Sequence, residues 1–142
     1  MIRHSLIRSS KFVWDQDPGL DKPALEFQEA WKRCLETSDV SLLVPVTREG
    51  QKLTVFDLEP LTRKEFMRVF ALEGLERICE AVAYGVKGVA NFEIDGSDVR
   101  LERDRDSKRL TAKSLDLIYD PILFATLGSR VMEISQIDPT KG

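Results

Sequence analysis

The sequence is short of the side chains that most catalytic and metal sites need. Its 142 residues include one histidine, His4, and two cysteines, Cys34 and Cys79. A nucleophile–histidine site therefore has a single candidate base, and the two cysteines lack the paired spacing of a zinc site. Both cysteines fall on apolar helix faces. This predicts buried free thiols and a reducing compartment, with one disulfide as the alternative.

Long apolar runs and phosphate-binding loops are also missing. No run approaches the roughly 20 apolar residues that span a bilayer, and the N-terminal stretch lacks the continuous apolar core of a signal peptide. Gly85 and Gly88 are not followed by Gly-Lys-Ser/Thr, and residues 95–98 lack most of the oxygen ligands of a calcium loop. We therefore expect no catalytic residue, no cofactor and no metal, in a protein that is cytosolic when made.

Charge is nearly balanced along the chain. A formal net charge of -3 gives no reason to expect nucleic acid or an anionic membrane as a partner. Residues 15–39 hold seven acidic and three basic side chains, which predicts a solvated face, with a surface for a basic partner as the alternative. Residues 99–113 hold six basic and three acidic side chains, but the signs alternate and no aromatic residues interleave. A small nucleic-acid-binding regulator stays as an alternative of another class.

Residues 61–85 contain the clearest helix signals. Thr62 and Glu65 have the spacing of a capping box. Apolar residues then recur at helical spacing, and Gly74 predicts a kink or a break, since glycine costs about 1 kcal/mol inside a helix relative to alanine. Gly85 is expected to end the helix. The charged residues in this stretch are expected mostly to face water: Arg63, Lys64, Arg68, Glu73, Glu76, Arg77 and Glu80.

The remaining signals complete an α+β fold: a mostly helical single domain over residues 1–142, with three main helices, two small β-hairpins and an extended N-terminal arm. Besides residues 61–85, helices are expected from Pro23 to about Glu36 and from Pro121, capped by Asp120, to about Ser135. The hairpins are expected to join Val40–Val46 to Leu53–Leu58 and Val89–Ile94 to Asp98–Leu101.

Three segments of this domain are expected to be neither main helix nor hairpin. Residues 1–19 are predicted to form the extended arm, with candidate strands at Ile2–Ile7 and Lys11–Trp14. Residues 103–109 are predicted to form an exposed loop, because their charges have no apolar anchor. Residues 138–142 are predicted to be a flexible tail.

Several segments together resemble small tail assembly chaperones of long-tailed (siphovirus-type) bacteriophages. They are LTVFDLEPLTRKEF, ICEAVAYGVKGVANFEIDG, LDLIYDPILFATLGSRVMEISQID and, near the start, SSKFVWDQDPGLD. In such proteins a helix ends in a glycine turn, often GLVGWENF, before a hairpin and a proline-started helix. The segment GVKGVANF is similar, with Val89 where the family often has tryptophan. The resemblance covers most of the chain from Leu53 onward.

The resemblance implies a non-enzymatic protein that binds the phage tape measure protein and the major tail tube protein and forms a homo-oligomer. Such chaperones coat the tape measure protein in the host cell cytoplasm until tail tube subunits displace them. The alternative in the same biology is a structural virion protein, of the tail or head–tail region, that stays in the particle. Candidate partner contacts are Leu53, Val55, Phe56, Phe66, Phe70 and Phe124. For each of these, an ordinary core position is the alternative.

Overall fold

The computed structural model describes residues 9–136 and confirms the α+β class. The expectations for His4, for a strand at Ile2–Ile7 and for residues 138–142 lie outside this range. Within it, no helix is long and apolar enough to cross a membrane. The chain forms two compact units, one built mainly from residues 58–88 and 101–136 and the other from residues 10–57 and 89–100.

The described chain alternates short strands with helices. The strands are β1 (Ser10–Phe12), β2 (Val55–Leu58), β3 (Val86–Ala90), β4 (Glu93–Ile94) and β5 (Ser97–Asp98). The helices are α1 (Phe27–Thr37), a 3-10 helix (Val40–Val46), α2 (Arg63–Phe70), α3 (Gly74–Gly85), α4 (Ala112–Leu117) and α5 (Pro121–Gln136). Strands β1, β2 and β3 form a sheet in that order, and β4 pairs with β5 in an antiparallel hairpin.

The first predicted hairpin is wrong, because Val40–Val46 is a 3-10 helix and only β2 is a strand. The Asp39 side chain caps the 3-10 helix by accepting the N–H of Ser41 at 3.1 Å. Leu43 and Val46 are three residues apart, so both face the same side of the 3-10 helix, and both are fully buried. A short run of branched aliphatic residues is therefore as compatible with a buried helical turn as with a strand.

The predicted start of the first helix is also wrong. Helix α1 begins at Phe27, because the residues after Pro23 are still in turns. The N–H of Ala24 donates to the carbonyl of Asp21, and the N–H of Phe27 donates to the carbonyl of Ala24, both at 3.1 Å. The Asp21 N–H donates at 2.7 Å to the carbonyl of Val46, which holds this stretch beside the 3-10 helix.

The unit of residues 10–57 and 89–100 contains an apolar core cluster, to which Val13 of the predicted arm belongs. Phe12 and Val13 are 2% and 0% exposed, and the Trp31 indole N–H donates to the carbonyl of Val13 at 2.9 Å. The fully packed cluster comprises Val13, Leu20, Phe27, Cys34, Leu43, Val46 and Leu53.

In the other unit, the capping box and the break in residues 61–85 are confirmed. The Thr62 hydroxyl accepts the N–H of Glu65 at 3.2 Å, and the Glu65 carboxylate accepts the N–H of Thr62 at 3.0 Å. Helix α2 ends at Phe70 and α3 begins at Gly74, whose φ is 56°. Glycine adopts this left-handed conformation without a steric penalty, so the chain turns there and forms two helices.

Glycines bring α3 and α5 together. A Cβ at Gly85 would lie 2.9 Å from the Cβ of Val131 and closer still to both of its methyl carbons. A Cβ at Gly128 would lie 3.0 Å from Cγ2 of Ile78 and 3.1 Å from its carbonyl oxygen. Gly85 is the last residue of α3, as predicted, and the contact with Val131 gives a second reason for glycine at this position.

The Asp-Gly turn of the second hairpin and the start of the last helix agree with the sequence prediction, but the predicted strand bounds are wrong. Strands β4 and β5 have two residues each, and Val89 and Ala90 belong to β3 of the other sheet. Asp95 and Gly96 connect β4 to β5 with φ values of 52° and 78°, as a type I′ turn requires. The Asp120 carboxylate accepts the N–H groups of Ile122 and Leu123 at 2.9 and 3.1 Å, which caps α5.

Candidate functional site

The six candidate partner contacts differ widely in exposure. Leu53 and Phe56 are 8% and 1% exposed, so they contribute to the core of the protein in this conformation. Val55, Phe66 and Phe124 are half-buried. Phe70 is 52% exposed and offers the largest accessible surface of the six.

Phe70 belongs to an exposed apolar face of α2. Its ring stacks on that of Phe66, with centroids 5.6 Å apart and planes at 20°. Met67, which lies three residues before Phe70 and therefore beside it on the helix, is 63% exposed. Leu75, at the start of α3, is 83% exposed. The predicted contacts did not include Met67 or Leu75. The apolar periodicity of residues 61–85 placed Leu75 on the buried face, and this is wrong, because Leu75 lies in the first turn of α3 and is exposed.

Phe70 also lines a groove of about 300 Å³ along α3 and α5, which we call the α3–α5 groove. Other residues that line it include Arg77, Ile78, Gly128, Met132 and Glu133. The lining is thus mixed: Ser129 and Gln136 add polar groups to the apolar side chains, the cation and the anion. This composition is typical of grooves that hold an apolar segment and orient it with a few polar groups.

Arg77 is held in a defined position in this groove. Its Nε donates to the carbonyl of Leu72 and its Nη2 to the carbonyl of Phe70, both at 2.8 Å. The guanidinium carbon lies 5.0 Å from the centroid of the Phe70 ring, in a cation–π arrangement. These contacts satisfy carbonyls that the break between α2 and α3 would otherwise leave without helical partners.

The groove's other charged side chain already has an ion-pair partner. Glu133 accepts a hydrogen bond from Arg130 at 2.9 Å, one turn away on α5. Within residues 9–136, no carboxylate oxygen lies within 4.0 Å of the Arg77 guanidinium. The cation of the groove is therefore bonded to neutral carbonyls, whereas its anion is neutralised.

A second charged cluster lies on α3 and holds one end of the predicted loop 103–109. Arg109 donates to the Glu80 carboxylate at 2.7 Å and lies over the Tyr84 ring at 5.7 Å from its centroid. Residues 104–108 are exposed, as expected for this loop. Because the cations and anions of this cluster pair with each other, we interpret it as structural.

Lys87 in β3 is a lysine whose pKa is shifted by its surroundings. Burial lowers the pKa of Lys87, and the nearby Arg103 lowers it further, although the Glu59 carboxylate 3.6 Å away opposes the shift. Because the pKa of Lys87 is lowered overall, burial affects it more strongly than the ion pair with Glu59 does. Such pKa shifts occur both in structural ion-pair networks and in catalytic sites. Lys87 is not among the residues that line the α3–α5 groove.

The two cysteines are free thiols, as predicted, with Cys34 buried and Cys79 half-buried. Burial raises the pKa of both thiols, and the carboxylates of Asp39 and Glu80 raise the pKa of Cys34 and Cys79 respectively. A raised pKa reduces the thiolate fraction and therefore the reactivity. Within residues 9–136, no cluster of three or more histidine, cysteine, aspartate or glutamate side chains is placed to hold a metal ion.

Comparison of the chain with protein-family models, with curated proteins and with solved structures finds no match. The resemblance to tail assembly chaperones therefore stays a prediction from the sequence. The α3–α5 groove and the exposed face of α2 are the features of the structure on which a function can be argued.

Proposed function

We propose that the protein is a non-enzymatic tail assembly protein of a siphovirus-type bacteriophage. In this proposal it acts in the host cell cytoplasm as a chaperone that binds apolar helices of the tape measure protein and is displaced by tail tube subunits. The observation that supports the proposal is the exposure of Phe70 and Met67, at 52% and 63%, beside the α3–α5 groove. Exposed large apolar side chains next to a groove are typical of protein-binding surfaces.

In this proposal the bound element is an amphipathic helix. A volume of about 300 Å³ is at the lower end of the range for ligand pockets and holds a few side chains. An amphipathic helix places such side chains on one face at i, i+3, i+4 and i+7, and binds other proteins through grooves of this kind. A contact built on few side chains also has modest affinity, which a displaceable chaperone requires.

The first test is co-expression of this protein with a tape measure protein of a siphovirus-type phage. We expect the wild-type protein to raise the soluble yield of the tape measure protein. Met67→Asp should reduce that gain at least about threefold, because burying a carboxylate without a partner is costly. Leu25→Asp is the matched control: Leu25 is an exposed apolar residue, at 97%, that belongs to the other unit, and its substitution should leave the yield unchanged.

The result also separates the alternatives. An unchanged yield with the wild-type protein would overturn the chaperone proposal. Detection of this protein in washed, mature virions would favour a structural role in the particle. The proposed homo-oligomer predicts a mass in light scattering that is a multiple of the 16.2 kDa chain.

A further inference from the structure

We infer that the α3–α5 groove takes an apolar helix that carries a carboxylate, and that this carboxylate pairs with Arg77. The inference rests on the proposed function for the existence of a helical partner, and it adds the chemistry by which that partner is selected. It applies to aspartate or glutamate side chains that flank the apolar face of the bound helix.

The first argument is the number of hydrogen-bond donors that Arg77 has left. A guanidinium has five N–H groups and no acceptor. Two of them are used, by the carbonyls of Phe70 and Leu72. The other three have no acceptor among residues 9–136. A carboxylate is the acceptor that fits two such groups at once.

The second argument is charge. Arg77 is half-buried and its positive charge faces no carboxylate within 4.0 Å in the described chain. Glu133 lines the same groove but pairs with Arg130. A helix that covers Phe70 would also remove water from Arg77, whose charge then requires compensation from the partner.

The third argument is preorganisation. The two carbonyl bonds and the stacking on Phe70 fix the guanidinium before any partner arrives. Binding to it therefore costs less side-chain entropy than binding to a mobile lysine or arginine. The apolar lining from Ile78 and Met132 argues against a free phosphate or a nucleic-acid backbone as the occupant, since neither has an apolar face to bury.

The test uses three synthetic helical peptides that differ only in charge. Each has leucine at i, i+3, i+4 and i+7, and the positions that flank the leucines are all glutamine, all glutamate or all lysine. Calorimetric titration should give the glutamate peptide an affinity about fivefold or more above that of the glutamine peptide, and the lysine peptide the weakest binding. This comparison uses the wild-type protein alone and so does not depend on the folding of any variant.

Variants then assign the effect to Arg77. In Arg77→Gln the difference between the glutamate and glutamine peptides should fall to within about twofold, whereas Arg77→Lys, which keeps the charge but not the forked geometry, should retain part of it. Arg68→Gln is the matched control, because Arg68 is an exposed arginine of α2 that contacts the Tyr84 hydroxyl at 3.5 Å. It should leave the difference unchanged.

The outcomes distinguish this inference from the function on which it rests. Equal affinity of the glutamate and glutamine peptides for the wild-type protein would overturn the inference and leave the chaperone proposal standing. Persistence of the difference in folded Arg77→Gln would also overturn it, since another group would then bind the carboxylate. Binding of none of the peptides would count against both.

Discussion

Asp17 connects separate segments of its unit through one buried carboxylate. Oδ1 accepts the N–H of Gly19 and Oδ2 accepts the N–H of Thr54, both at 2.9 Å. The Thr54 hydroxyl donates to the carbonyl of Asn91 at 2.8 Å, and the Asn91 amide donates to the carbonyl of Leu53 at 3.2 Å. The proline and glycine of residues 15–19 predict a turn there. They do not predict the bond from Asp17 to Thr54, because turn chemistry is local and this bond depends on tertiary packing.

We expect Asp17→Asn to lower the free energy of unfolding by about 2 kcal/mol. An amide has one oxygen, so one of the two N–H donors loses its acceptor and instead faces the NH2 group. Urea unfolding followed by the fluorescence of Trp14 and Trp31 measures this, since both tryptophans belong to the same unit as Asp17. Asp15→Asn is the control in the same turn and should change the stability by less than about 0.5 kcal/mol. Equal losses in the two variants would contradict the role given to Asp17.

Arg77 is the residue of the candidate site that the sequence did not reveal. Helical periodicity places it among the charged residues that face water. In the structure it is half-buried, because the break between α2 and α3 leaves the carbonyls of Phe70 and Leu72 without helical partners and Arg77 bonds to both. Phe70 was predicted as a contact from its apolar character and its position, and the structure places it in the same groove. The groove's other apolar side chains, Ile78 and Met132, were not predicted as contacts, and the role of Phe70 as a partner contact stays a prediction.

At the scale of elements, local chemistry predicts structure best where one residue type determines the backbone. The capping box of α2, the Asp-Gly turn between β4 and β5, and the Asp-Pro start of α5 are of this kind, and all three were predicted. The segment Val40–Val46 has no such determinant. Its aliphatic residues satisfy a strand pattern and a helical one, and packing of its buried face against α1 selects the 3-10 helix.

The close approach of α3 and α5 leads to a prediction for Gly85 and Gly128, which are both helical glycines. Gly85→Ala should lower the free energy of unfolding by about 3 kcal/mol, because the new methyl group overlaps the buried Val131. Gly128→Ala should cost less than about 1 kcal/mol, because a gain of about 1 kcal/mol in helix propensity offsets part of the tighter contact with Ile78. Urea unfolding followed by helical circular dichroism at 222 nm measures both.

A double variant checks the cause. If overlap with Val131 is responsible, Val131→Ala should remove part of the cost of Gly85→Ala, so that the two substitutions together cost less than their sum. Additive losses, or equal losses from Gly85→Ala and Gly128→Ala, would show that backbone conformation and not side-chain space sets the need for glycine at these positions.

At the scale of the whole molecule, the distribution of charge argues against the nucleic-acid-binding alternative. The sequence has a formal net charge of -3. In the basic segment 99–113, Arg109 pairs with Glu80 at 2.7 Å, and Arg103 is half-buried. Asp104 and Asp106 are exposed among the remaining cations of this segment. No surface of uniform positive charge results from this segment, and phosphate backbones require one for appreciable affinity.

We therefore expect the wild-type protein to show no measurable binding to duplex DNA at about 150 mM salt, and at most weak binding at about 20 mM. Fluorescence anisotropy of a labelled duplex measures this binding. A protein that neutralises several phosphates loses affinity steeply with salt, with a slope of about -0.9 in log K against log salt for each phosphate contacted. A measured slope of about -4 or steeper would contradict the charge argument.

Arg105→Gln combined with Lys108→Gln would then decide whether the exposed loop is responsible, since these two cations are exposed. A slope that drops by about two units in this variant would assign the contact to the loop and revive the regulator.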